Sequence, residues 1–168
     1  MPVRLSKCLL LASVALFYTL IVFNNIADYG TNRLFVQHVL SMDTLFPGSH
    51  SLWRAIHSSS IHTAFYFLII LWEAISAALC WWATARMLRS MRASTAMFAR
   101  MTRLGTAALT LGMLLWFAAF IVIGGEWFLM WQSHLWNGQE TAFHNFAILG
   151  VVLLFLNLPE SNPAEPQI

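Results

Sequence analysis

The chain has 168 residues and a net charge of +2, is 59% hydrophobic and only 10% charged, and has a mean hydropathy of +0.67. A soluble domain carries about 25% charged residues, so this composition excludes an ordinary water-soluble globule and points to lipid as the solvent. Cys8 precedes the first apolar run and Cys80 lies inside the second, so both read as apolar fillers with no disulfide.

The first apolar run covers residues 9–23, behind Arg4 and Lys7. A basic start and an apolar core suit a signal peptide, but Asn24, Asn25 and Asp28 follow where a small-residue cleavage pattern belongs. An uncleaved helix is predicted over 7–27. Further spans are predicted over 60–83, 104–127 and 141–158. Each is near the ~20 residues needed to cross ~30 Å of hydrocarbon. The loop over 28–59 is too long for a simple connector. Within it, the apolar spacing over 33–42 predicts a short helix on the membrane surface. Phe46-Pro47-Gly48 reads as a turn. Residues 51–57 suit another short helical piece, and Ser58-Ser59-Ser60 offer caps for the second span. The Pro- and Glu-containing end, 159–168, reads as a disordered cytoplasmic tail. The expected fold is therefore an all-α membrane protein with four transmembrane helices in an up-down bundle, a single domain over 1–158.

Orientation follows from the basic residues. Arg4 and Lys7, with Arg86, Arg89, Arg92, Arg100 and Arg103, put seven on one side, against Arg33 and Arg54 on the other. This places both termini and the Arg loop on the cytoplasmic side. The five loop arginines have no acidic neighbour within 86–103. Contact with anionic lipid explains them, and no nucleic acid is expected.

Glu73 stands near the middle of the second span, where a carboxylate costs ~2.5–3.5 kcal/mol on insertion scales. His62, Tyr66 and Ala77 share its face. A neutral Glu73 hydrogen-bonded to Thr106, Thr110 or a backbone carbonyl is one reading. A proton relay or ligand contact is the other. A second polar group gathers at the outer helix ends: Asn24, Asn25, Asp28, His62, Glu126 and His144. It reads as interfacial polarity, as a hydrogen-bonded cap, or as a metal or haem site using His62, His144 and Glu126. His38, His50, His57 and His134 read as solvated loop residues. Gly105, Ala108 and Gly112 form a small face for helix contact, and Gly124-Gly125 allow close approach. No phosphate-cradling loop, GxSxG, HExxH or Ser/His/Asp order is present.

Several segments carry a resemblance. They are Asn24-Asn25, the run Phe35-Val36-Gln37-His38-Val39-Leu40-Ser41-Met42-Asp43-Thr44, the run Gly124-Gly125-Glu126-Trp127-Phe128-Leu129-Met130-Trp131-Gln132-Ser133, and Trp136-Asn137-Gly138-Gln139. Over nearly its whole length the chain resembles a bacterial family of predicted small integral membrane proteins described as a domain of unknown function. The resemblance implies a four-helix inner-membrane protein and supplies no catalytic residues. The family often reads Ala-Phe-Arg where this chain has Ala142-Phe143-His144, which counts against His144 as a shared ligand and so against haem. The motif segments all fall on the outer side or at the outer helix ends.

The expected function is a non-catalytic accessory or scaffold subunit of a membrane assembly, with the lipid bilayer and other membrane subunits, or further copies of itself, as partners. No cofactor is expected under that reading. The alternative is a binder of a small ligand, quinone, haem or metal at the outer end of the bundle. A weaker alternative is a proton-coupled carrier using Glu73.

Overall fold

A computed structural model describes residues 2–159. The expected tail lies outside the described residues, apart from Pro159. The described residues are helical with no strand. Helix α1 spans Pro2–Ala27, α2 Tyr29–Ser41, α3 Ser59–Arg89, α4 Thr95–Leu114 and α5 Gln139–Asn157. Short 3₁₀ turns stand at Leu52–Arg54 and Met130–Gln132. Four helices are long and apolar enough to cross a membrane: α1, α3, α5, and α4 taken together with its continuation to Trp127.

Several of their hydroxyls are satisfied within their own helix, though the buried Thr84 hydroxyl has no partner among the described residues. Ser13 and Thr19 donate to the carbonyls of Leu9 and Ala15, and Ser76 donates to Trp72, each four residues back. In a bilayer every such group needs an internal partner.

Both helices beside the Arg loop run further than the apolar runs suggested. α3 extends past Ala83 through Arg89, and α4 starts at Thr95 rather than at 104. Arg86 and Arg89 therefore ride on the last turns of α3, and Arg100 and Arg103 on the first turns of α4. Cations at the end of α3 meet its carbonyl pole favourably. Ser94 caps α4 by accepting from the Met97 N–H. Ser58 takes the cap position of α3 without a side-chain hydrogen bond, so the expected serine cap is not made there.

Beyond Leu114 the helix widens. Residues Leu115–Trp127 wind as a π-helix, and at its end the Phe128 N–H reaches back five residues to the Ile123 carbonyl at 3.0 Å. The buried positions follow that winding: Leu115, Trp116, Gly124 and Gly125, with half-buried Phe120 between them, recur at fours and fives. On α3 the buried positions His62, Tyr66, Glu73, Ser76, Ala77, Cys80, Ala83, Thr84 and Met87 keep the threes and fours of an ordinary helix.

Hydrogen bonds between distant residues fix how the helices meet. Arg4 donates to the carbonyls of Met91 and Ala93. Lys7 donates to the Leu158 carbonyl at 2.6 Å, and Thr106 to Asn157. The start of α1, the Arg loop, the start of α4 and the end of α5 thus share one end of the bundle, the basic end. At the opposite, far end lie α2 and the loop between the π-helix and α5. The core between the four long helices is built from Leu11, Tyr18, Cys80, Ala83, Ala108, Leu109, Leu149 and Leu156. Gly105 is essential to it, because an added Cβ would stand 2.8 Å from Leu11 Cδ2 and 3.0 Å from Leu156 Cδ2. At Gly112 an added Cβ would run into the Tyr18 hydroxyl. The small face expected at Gly105, Ala108 and Gly112 is where α4 meets α1 and α5.

Candidate functional site

Helix α2 lies across the far end and packs mainly on α3. Its inner face carries Val36 and Leu40, which join Met42, Tyr66 and Phe128 in a second apolar cluster. Phe35 stacks on Phe120 of the π-helix with ring centres 6.4 Å apart, and meets Trp136 edge-on. Gly138 makes room for it, since a Cβ there would stand 2.9 Å from Phe35 Cζ.

Beneath α2 is a cavity of about 330 Å³. Its walls come from α1, α2, α3, the π-helix and α5: Phe17, Ile21, Asn25, Asn32, Phe35, Val36, Tyr66, Ile69, Glu73, Trp116, Phe120, Thr141 and Asn145. A second cavity, about 170 Å³, shares the Phe35, Val36, Ile69 and Phe120 wall and is lined by apolar side chains such as Phe65, Leu68, Trp72, Ile123 and Met130. The pair has a polar chamber and an apolar annex.

Glu73 belongs to the polar chamber and is 1% exposed. Its partner is neither Thr106 nor Thr110, which bond to the carbonyls of Thr102 and Thr106 in their own helix. It is Asn25, whose Nδ2 donates to Glu73 Oε2 at 2.7 Å. That distance lies at the short end of the N–H···O range. Among the described residues Glu73 makes no ion pair and receives no other hydrogen bond. Tyr66 donates its hydroxyl to the Asn25 carbonyl at 2.7 Å, which holds the end of α1 against α3. Deeper in, the Trp116 indole N–H donates to Tyr18 Oη at 3.0 Å.

The structure thus joins what the sequence separates into two groups. Asn25, assigned to the outer-end cluster, is the partner of the intramembrane carboxylate. The rest of that cluster does not assemble. His62 is buried, and its Nε2 donates to the Ile56 carbonyl at 2.7 Å, because a carbonyl can only accept. Asn24 and Asp28 are exposed, and their carbonyls accept from Asn32. Glu126 and His144 are exposed. Among the described residues no three His, Cys, Asp or Glu side chains are grouped to hold a metal ion. A site built from His62, Glu126 and His144 is therefore not formed, since one is spent on a backbone carbonyl and the others face outward. The five arginines of the basic end are exposed, as lipid contact requires.

Sequence reasoning missed Asn32, Thr141 and Asn145 as wall residues. Asn145 sits one position beyond His144 and so faces another way, which a helical wheel drawn on α5 would have shown. It also missed the contacts between the loops of the far end. His38 pairs with Asp43 at 2.8 Å and stacks on Trp136 with ring centres 4.5 Å apart. Thr44 donates to Ser133 Oγ at 2.8 Å, tying the two far-end loops together.

No curated protein and no solved structure matches the chain. Residues 3–159 match the family described as predicted small integral membrane protein (DUF2165). Four membrane-length helices, a single carboxylate buried among them and a match over nearly the whole length agree: the chain belongs to this family of small integral membrane proteins.

Proposed function

We propose that the protein is a membrane-embedded binding module that holds a small amphipathic molecule beneath α2. The observation that carries this reading is Glu73. An intramembrane carboxylate is costly and marks function by default, and this one lines a chamber next to an apolar annex. A few polar groups converging in an otherwise apolar cavity are what a small-molecule site needs. Glu73, Asn25, Asn32, Thr141 and Asn145 would fix the head of the ligand, and the annex its apolar body. The setting is the bacterial inner membrane with the basic end cytoplasmic, on the strength of the seven-to-two split of basic residues. The five arginines then meet anionic lipid headgroups.

The test is extraction of purified protein with organic solvent and mass analysis of what is released. The comparison is Ile69→Trp, which fills the wall shared by the two cavities. A compound retained by the wild type and lost from the variant supports the reading. Identical extracts from both refute it.

A second reading, an accessory or scaffold subunit, draws support from the far end. Leu135 is 83% exposed and Trp53 is 73% exposed there. Arg54 lies over the rings of both Trp53 and Trp127. Such apolar side chains suit a partner subunit or a second copy. Release from the native membrane in mild detergent tests it: co-released polypeptides above the 19.0 kDa chain support it, and a particle of single chains counts against it. Transport coupled to protons through Glu73 is tested by Glu73→Gln, which should abolish it.

A further inference from the structure

The charge balance of the polar chamber narrows the ligand class, on the reading that the chamber is a ligand site. The chamber holds one carboxyl group, that of Glu73, and no basic side chain. Neither Arg33 nor His38 of α2 is part of the wall: Arg33 reaches along its own helix to Gln37, and His38 pairs with Asp43. The only group that reaches the carboxylate among the described residues is the neutral Asn25 amide. A buried charge left without a counter-ion is strongly unfavourable, and one partner of opposite sign relieves it.

The rest of the wall suits the same sign. Phe17, Phe35, Trp116 and Phe120 bring aromatic rings to the chamber, and aromatic rings attract cations, most strongly once these are desolvated. Trp116 already spends its N–H on Tyr18, so its remaining contribution to a ligand is its ring. The annex beyond Phe35 and Phe120 has nothing for a polar group to bond. A bare metal ion or a small hydrated cation would make no use of the aromatic rings or of the annex. A cation that carries its own apolar substituents would match both chambers.

We propose that the cavity takes a small lipophilic organic cation, an ammonium with apolar substituents, with Glu73 as its counter-ion. The probes are phenyltrimethylammonium and its uncharged isostere tert-butylbenzene, which differ in charge and not in shape. Binding is measured by calorimetry on the full chain in nanodiscs of zwitterionic lipid, for the wild type, Glu73→Gln, Glu73→Asp and Ile69→Trp. The expected result has three parts. The wild type binds the cation more tightly than the isostere. Glu73→Gln loses cation affinity by about 30-fold or more, the scale of removing one partner of a buried charge pair, while its affinity for the isostere is unchanged. Glu73→Asp keeps the preference for the cation, which separates loss of charge from loss of fold. Equal binding of the two probes by the wild type, with loss of both in Ile69→Trp, overturns the cation assignment and leaves the binding-module reading standing. Failure of the wild type to bind either probe overturns both. Cation binding that is unchanged in Glu73→Gln overturns the counter-ion role.

Discussion

Replacing Asn25 by alanine removes the one hydrogen bond that reaches Glu73. The backbone link survives, since Tyr66 donates to the Asn25 carbonyl and not chiefly to its side chain. The substitution is therefore close to a clean deletion of one N–H···O bond. A side-chain hydrogen bond between neutral groups in a membrane protein is worth about 0.6 kcal/mol on average. A bond to a charged group is worth about 1.5–3 kcal/mol, and leaving the acceptor buried and unsatisfied adds to the cost. With Glu73 ionised, the higher range applies. Asn25→Ala should cost about 2 kcal/mol. In a Glu73→Gln background the same change should cost only about 0.6 kcal/mol, as for any neutral pair. The difference, about 1.4 kcal/mol, is the coupling that a double-mutant cycle isolates. The assay is unfolding by sodium dodecyl sulfate added to dodecylmaltoside micelles, followed by the summed fluorescence of the eight tryptophans. Equal costs in both backgrounds would refute the argument that Asn25 serves a charge.

Gly112→Ala should destabilise by about 1–3 kcal/mol, the usual cost of overpacking, because its Cβ meets the Tyr18 hydroxyl. Gly30→Ala, with nothing within 4 Å of its Cβ, should be neutral or slightly stabilising in α2; thermal unfolding of the two variants in one detergent makes the comparison. Trp136→Ala removes the ring under His38 and should speed amide hydrogen exchange over residues 38–44 while leaving α3 and α5 protected, as mass spectrometry would resolve. A fluorescent reporter fused after residue 159 should light up in bacterial cells, and alkaline phosphatase fused there should stay inactive; the reverse pattern would overturn the orientation drawn from the arginines.

The four spans were legible because lipid imposes a blunt rule: some twenty apolar residues in a row. Their ends were not, because α3 and α4 continue as polar, arginine-bearing helix where hydropathy falls, and helical winding does not stop at the membrane surface. Glu73 announced itself by its cost at that depth. Its partner did not, since Asn25 sits 48 positions away and reads as interfacial polarity until α1 is laid against α3. The stripe of His62, Tyr66 and Glu73 followed from a period of 3.6. The π-winding could not, because a pattern of fours and fives passes for an irregular apolar helix. The metal grouping failed for a related reason. Residues at one depth of a bundle still point in different directions around it, so His62 turns inward while Glu126 and His144 turn out.

The wide helix also bears on how this chain fits its solvent. Residues 104–127 would run about 36 Å as a plain α-helix, longer than the ~30 Å hydrocarbon layer they have to cross. A long span ordinarily meets that mismatch by tilting, kinking or thickening the bilayer around it. Here part of the excess is taken up along the helix axis itself, since π-winding spends more residues on each turn. The span is thereby shortened while Trp116, Phe120 and Gly124 stay on one side.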